Sequence, residues 1–177
     1  MSRRAVIYAV ILSVLIILAV LYALKTRADL EARSVKADDG WARVEGSVQE
    51  RIDLIPNLLE AAKSISQEKP SLFANVSDAR VSYANAKSTE ARAEAAAHIE
   101  LALSDLIAEI KKHPDIQNRA NVTALINKLT ELVATANESR VAFNESLRDY
   151  NDLAGKFPSV IIAKLFGFNK RPYLASL

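Results

Sequence analysis

NRANVTALINKLTELVATANESRVAFNESLRDYNDLAG, residues 118–155, decides the fold. Its stripe runs Val122, Ile126, Leu129, Val133, Ala136, Arg140, Phe143, Leu147, Tyr150 and Ala154, with Arg140 the one charged member. Steps of four and three alternate throughout, giving a mean period of about 3.5, the seam of a helix packed in a coiled-coil-like bundle. At ~1.5 Å per residue such a helix is roughly 57 Å long.

Working outward, a second stripe of the same kind runs Trp41, Val44, Val48, Arg51, Ile55, Leu58, Ala62 and Ile65, broken only by Arg51. Pro56 falls inside it. An interior proline removes one backbone hydrogen bond and crowds the turn before it, but the unbroken register favours a bent helix over two separate ones. Shorter apolar sets, one from Leu72 to Ala86 and one from Ile99 to Ile110, lie between the stripes, with Ser88 or Thr89 as a cap for the latter. Pro70, Pro114 and Pro158, each flanked by polar or charged residues, punctuate the helices. Four glycines, five prolines and 29 alanines in 177 residues argue against a turn-rich β architecture. The fold class is therefore all-α, an antiparallel bundle of long helices.

Residues 5–24, AVIYAVILSVLIILAVLYAL, contain Ser13 as the only residue outside the apolar set. Twenty helical residues cover about 30 Å, the hydrocarbon thickness of a bilayer. The run exceeds the ~7–15 residues of a signal-peptide core and leads into Leu24-Lys25-Thr26 rather than a small-residue cleavage site, so it reads as a retained transmembrane helix. Tyr8 and Tyr22 occupy interfacial positions. The expected organisation is a short tail 1–4, a transmembrane helix 5–24 and a helical domain 25–177 whose last part, 157–177, is an apolar segment. Lys25, Arg27, Arg33, Lys36 and Arg43 outnumber Arg3 and Arg4 and place the domain in the cytoplasm, although the tight N-terminal pair pulls the other way.

Arg51 and Arg140 occupy seam positions. One reading has each stem packed while its guanidinium reaches solvent or a nearby carboxylate. The other is a buried ion pair with Asp53, Glu60, Asp78 or Glu138. The expected chemistry is otherwise sparse. Without cysteine there are no disulfides, thiolate metal sites or cysteine nucleophiles. His98 and His113 are the only histidines, and Glu109, four residues before His113, makes a common surface pair. No Gly-rich phosphate loop or G-x-S-x-G elbow is present. Beyond residue 24, 21 basic groups face 21 acidic ones, which leaves no electrostatic footprint for nucleic acid. No enzyme activity, cofactor or metal is expected.

The order of motifs resembles the LemA family of single-pass bacterial membrane proteins. The resemblance rests on Trp41; RIDLIPNLL at 51–59, with Asp53, Pro56 and Asn57; VSDAR at 76–80, ending in Arg80; HPDIQNRAN at 113–121; SRVAFN at 139–144, with Arg140 and Asn144; DYN at 149–151, ending in Asn151; and FPSVIIAKLFGF at 157–168, with Phe157, Pro158, Phe166, Gly167 and Phe168, followed by Tyr173. It implies a helical domain on a membrane anchor, mostly cytoplasmic, with no known catalytic residues. One relative, MamQ, takes part in building magnetosome membranes, which points to membrane organisation. Val133 stands where the family often has Glu, and Phe143 where it often has Tyr; both make this seam more apolar. The motif residues are candidates for structural or interaction roles, with Asn57, Asn144 and Asn151 expected to lock helix register by hydrogen bonds to neighbouring backbone.

The expected function is a scaffold anchored in the bacterial cell membrane, with the lipid bilayer, further copies of the chain and a membrane or soluble protein as partners. The alternative is a membrane-tethered sensor or relay acting through the bundle. The segment 157–177 is too short in apolar residues to span a bilayer. Three fates are open to it: packing on the bundle, lying in the lipid interface, or binding a sister subunit. Packing is the expectation carried forward.

Overall fold

The computed structural model describes residues 3–174. Residues 1–2 of the expected N-terminal tail and 175–177 of the expected C-terminal segment lie outside the described residues. Every regular element among the described residues is helical: α1 (Arg3–Ala61), a 3-10 turn (Lys63–Gln67), α2 (Pro70–Asn85), α3 (Thr89–Ile110), α4 (Pro114–Gln117), α5 (Ala120–Gly155) and α6 (Ser159–Leu165). The protein is all-α, with a long apolar N-terminal helix and an antiparallel helical bundle.

Residues 5–24 expose their apolar side chains and are long enough to cross a membrane. No break follows them. The shift at Lys25 from apolar to charged residues changes which solvent the side chains suit, not the backbone hydrogen bonding, and α1 runs on to Ala61. It continues through Pro56, whose ring is exposed, with Ile55 and Leu58 buried on either side. The other ends follow local chemistry. Pro70 and Pro114 open α2 and α4, where the missing N–H costs nothing. The Ser88 hydroxyl accepts the Ala91 N–H at 3.1 Å and caps α3. Two connectors have no counterpart in the sequence reading, the 3-10 turn and α4; each is pinned by one buried side chain, Ile65 and Ile116.

The chain forms two compact units. The larger, Gly40–Phe143 with Leu174, has a core from the second half of α1, α2, α3 and the first half of α5. Leu58, Leu103, Leu106 and Leu129 are fully buried in it, each contributing roughly 1.5–3 kcal/mol by leaving water. The smaller unit joins the N-terminal part of α1, up to Asp39, to Asn144–Tyr173, around Leu30, Tyr150, Ala154 and Ala163. The α5 seam is as the periodicity predicts: seven of its ten members are buried, and Ile126, Val133 and Arg140 are half-buried.

Candidate functional site

In the larger unit, Arg51 is buried and pairs with Glu100 on α3. None of Asp53, Glu60, Asp78 or Glu138 is its partner; the packing of α3 against α1, which periodicity alone does not specify, supplies a different carboxylate. Arg51 Nε is buried without a hydrogen bond. Arg51 and Glu100 also line a cleft of about 600 Å³, together with Leu103, Leu129, Val133 and Asn137.

A larger open cleft, about 810 Å³, is lined by α1, α2 and the start of α3. On its walls Arg92 pairs with Glu45, and Gln49 Nε2 donates to Asp53 Oδ1 at 2.8 Å. Tyr83 is buried there, and its desolvation, helped by Glu45, raises the phenol above its ordinary pKa. The Glu45 carboxylate, hydrogen-bonded to Arg92, pushes the guanidinium further toward its charged form. Arg80, half-buried on α2, has its Nε buried with no hydrogen-bond partner.

Trp41 packs on Phe143 with ring centroids 5.7 Å apart and planes tilted by 55°. Beside them Gly40 permits a close approach, since a Cβ there would lie 3.3 Å from Phe143 Cα. Asp53, Pro56 and Asn57 are all exposed on α1. Asn57 therefore does not take the register-locking role expected of it. Arg140 and Asn144 are half-buried on α5.

In the smaller unit Asn151 does lock two segments. Its Nδ2 donates to the Arg171 carbonyl and its Oδ1 accepts the Arg171 N–H, both at 2.8 Å. Arg171 in turn pairs with Asp38 at 2.8 Å. The Tyr150 hydroxyl donates to the Asn169 carbonyl at 2.9 Å, and burial raises its pKa. Arg33 reaches the Asp149 carbonyl at 2.9 Å. Gly167, at φ +78°, ends α6 in a left-handed turn that few other residues tolerate. Phe168 N–H then bonds Ala163 O at 2.9 Å and Gly167 N–H bonds Lys164 O at 3.4 Å, a Schellman cap that turns Phe168 back onto the Ala163 cluster. Pro158 and Phe157 precede α6, joined by a cis peptide, and both are exposed. Phe166 lies under the Arg27 guanidinium, 4.8 Å from its ring centroid.

These positions carry the motifs quoted above, and comparison with family models matches residues 40–176, most of the chain, to the LemA family. The chain belongs to the LemA family. No curated protein matches it closely enough to serve as a relative. In this LemA protein Ile55 and Leu58 of the DLIPNL motif are core and Leu54 is half-buried against it, while the polar members face outward. The GF element is a helix cap. Sequence reasoning missed Glu45, Arg92 and Glu100; nothing in the local pattern distinguishes them from solvated charges on a helix. Among the described residues, no three His, Asp or Glu side chains form a group able to hold a metal.

Proposed function

We propose that this LemA protein is a membrane-anchored helical scaffold that organises a membrane patch or protein complex through self-association, without a catalytic step. Its bulk lies on the cytoplasmic side of a bacterial cell membrane. The observation supporting this reading is the continuity of α1, in which an exposed apolar stretch and a core helix of the larger unit are one uninterrupted helix, Arg3–Ala61. A ligand-transporting or freely diffusing protein has no need of that arrangement. Long helices packed within each unit present a defined surface at little conformational cost.

The same continuity favours a second reading, a relay in which movement of the bundle passes along α1 into the membrane. Cross-linking in native membranes separates the two. A scaffold gives higher-order species in resting cells, whereas a relay gives species that change with a stimulus; monomer alone under all conditions refutes self-association. The chain has no cysteine, so a single Ser104→Cys variant reports sidedness cleanly. A cytoplasmic domain is labelled by impermeant maleimide only after the cells are opened.

A further inference from the structure

The surface of α6 divides in two. Ser159 and Ala163 are buried, and Ala163 belongs to the cluster of Leu30, Tyr150 and Ala154. Ile161 and Leu165, four residues apart and so on one helical face, are 56% and 73% exposed, and Phe157, in the turn just before α6, is 81% exposed. Lys164 is exposed and projects from the same side of the helical wheel. From Lys156 to Leu174 the chain carries four basic residues and no acidic one. Of the three fates open to this segment in the sequence (packing, lipid contact or a sister subunit), packing is the expectation, and the two faces allow packing and lipid contact together.

The position of this face along α1 is fixed within the smaller unit. Arg33 meets Asp149, and Leu30 packs with Tyr150 and Ala154, so α1 and α5 run antiparallel there. In that register Gly155, the last residue of α5, lies level with about Arg27, a step of roughly 4.5 Å beyond Leu24, the last residue of the apolar stretch. The Arg27–Phe166 contact gives the same level independently, because Arg27 is three residues beyond Leu24. The α5–α6 corner and the exposed apolar face therefore sit where the apolar stretch ends.

We propose that α6 is a second membrane contact: it lies in the headgroup zone beside the anchor, with Phe157, Ile161 and Leu165 inserted into the adjoining leaflet and Lys164 and Lys170 against anionic headgroups. The occupant of the face is lipid, and this rests on the reading that residues 5–24 cross the bilayer. Interfacial helices pair an apolar face with basic residues in this way, burying the apolar side ~5–10 Å into the boundary. Basic residues at the surface add attraction to anionic lipid.

The test uses the full-length chain in phosphatidylcholine–phosphatidylglycerol vesicles, carrying one nitroxide label at a time on Ile161→Cys, Leu165→Cys, Leu15→Cys or Leu101→Cys. Power saturation compares access to oxygen, which concentrates in lipid, with access to a water-soluble nickel chelate. Labels at residues 161 and 165 are expected to favour oxygen, at a depth shallower than residue 15, while residue 101, exposed in the larger unit, favours nickel. Nickel-favoured access at 161 and 165 overturns the proposal. So does low access to both reagents, with spin–spin broadening if a second copy covers the face. A label at residue 15 that favours nickel refutes the membrane-spanning reading itself, and the proposal falls with it; deep residue 15 with wet residue 161 refutes the proposal alone.

Discussion

Replacing Glu100 by leucine leaves Arg51 as a lone cation in the core, and the structure fixes how unequal the two halves of this ion pair are. The Arg51 side chain is 7% exposed and that of Glu100 is 30% exposed. A widowed Glu100 can turn into water, whereas a widowed Arg51 cannot. Breaking a fully buried pair costs ~3–5 kcal/mol. Because the pair lines an open cleft that admits some solvent, we set Glu100→Leu at about 3 kcal/mol, the low end of that range. Arg51→Met keeps an apolar stem in the seam and should cost only about 1 kcal/mol. Combining them removes both charges, and since apolar replacement of a buried pair is often neutral or better, the double variant should return to within about 1 kcal/mol of the parent. For a chain of this size 1 kcal/mol moves the Tm by ~2–4 °C, so thermal unfolding of the full-length proteins in mild detergent, followed by circular dichroism, resolves the series. Equal losses for the two single variants, or additive losses in the double variant, would refute the reasoning, because they mean the two charges do not depend on each other.

Leu129→Ala should destabilise by ~2–5 kcal/mol, as a fully buried seam leucine does, whereas Lys128→Gln, which loses only an exposed pair with Glu131, should stay within about 0.5 kcal/mol in the same melts. Gly46→Ala should raise stability by about 1 kcal/mol, since nothing lies within 4 Å of the added methyl and glycine is a poor helix former. Gly167→Ala should lower it by about 1–2 kcal/mol, because φ +78° is unfavourable to any Cβ even in open space. The hydrogen bond from Lys112, with partial desolvation opposing it, holds the Glu109 carboxyl below its ordinary pKa. Its stabilisation is therefore present above the ordinary glutamate range, near pH ~4.3, and is lost as pH falls through the lower folded value. Glu109→Gln should flatten the acid side of a plot of Tm against pH, and an unchanged slope would refute that assignment.

What was legible in the sequence was whatever a helix records about itself. Burial along α5 is written in its own three-four spacing, and each of the ten seam positions is at least half-buried. Proline and serine signals likewise act within a turn, so the starts of α2 and α3 were readable. The partner of Arg51 was not, because Glu100 sits on another helix and its own neighbours, Ile99 and Leu103, say only that α3 has a buried side. The cleft beside Arg80 depends on three elements and has no local signature. The C-terminal segment was ambiguous for a different reason: its apolar residues are divided between a packed face and an exposed one, and composition cannot separate them.

Asn57 and Asn151 show how far the same residue type can diverge under one expectation. Both stand in family motifs, and both were expected to lock register through hydrogen bonds. Asn151 is buried and holds the Arg171 peptide by both its N–H and its carbonyl. Asn151→Ala would leave two backbone groups unsatisfied; at about 1 kcal/mol for each hydrogen bond, the loss is about 2 kcal/mol. Asn57 is exposed beside Asp53 and Pro56, so Asn57→Ala should change stability by less than about 0.5 kcal/mol. Hydrogen exchange on the full-length protein adds a local readout: Asn151→Ala should accelerate exchange across residues 169–173, and Asn57→Ala should accelerate none. A loss near 2 kcal/mol from Asn57→Ala would restore the structural role that its exposure denies. Without that loss, whatever effect the substitution has in cells must arise outside the folding equilibrium, on the face of α1 where the polar half of the motif meets solvent.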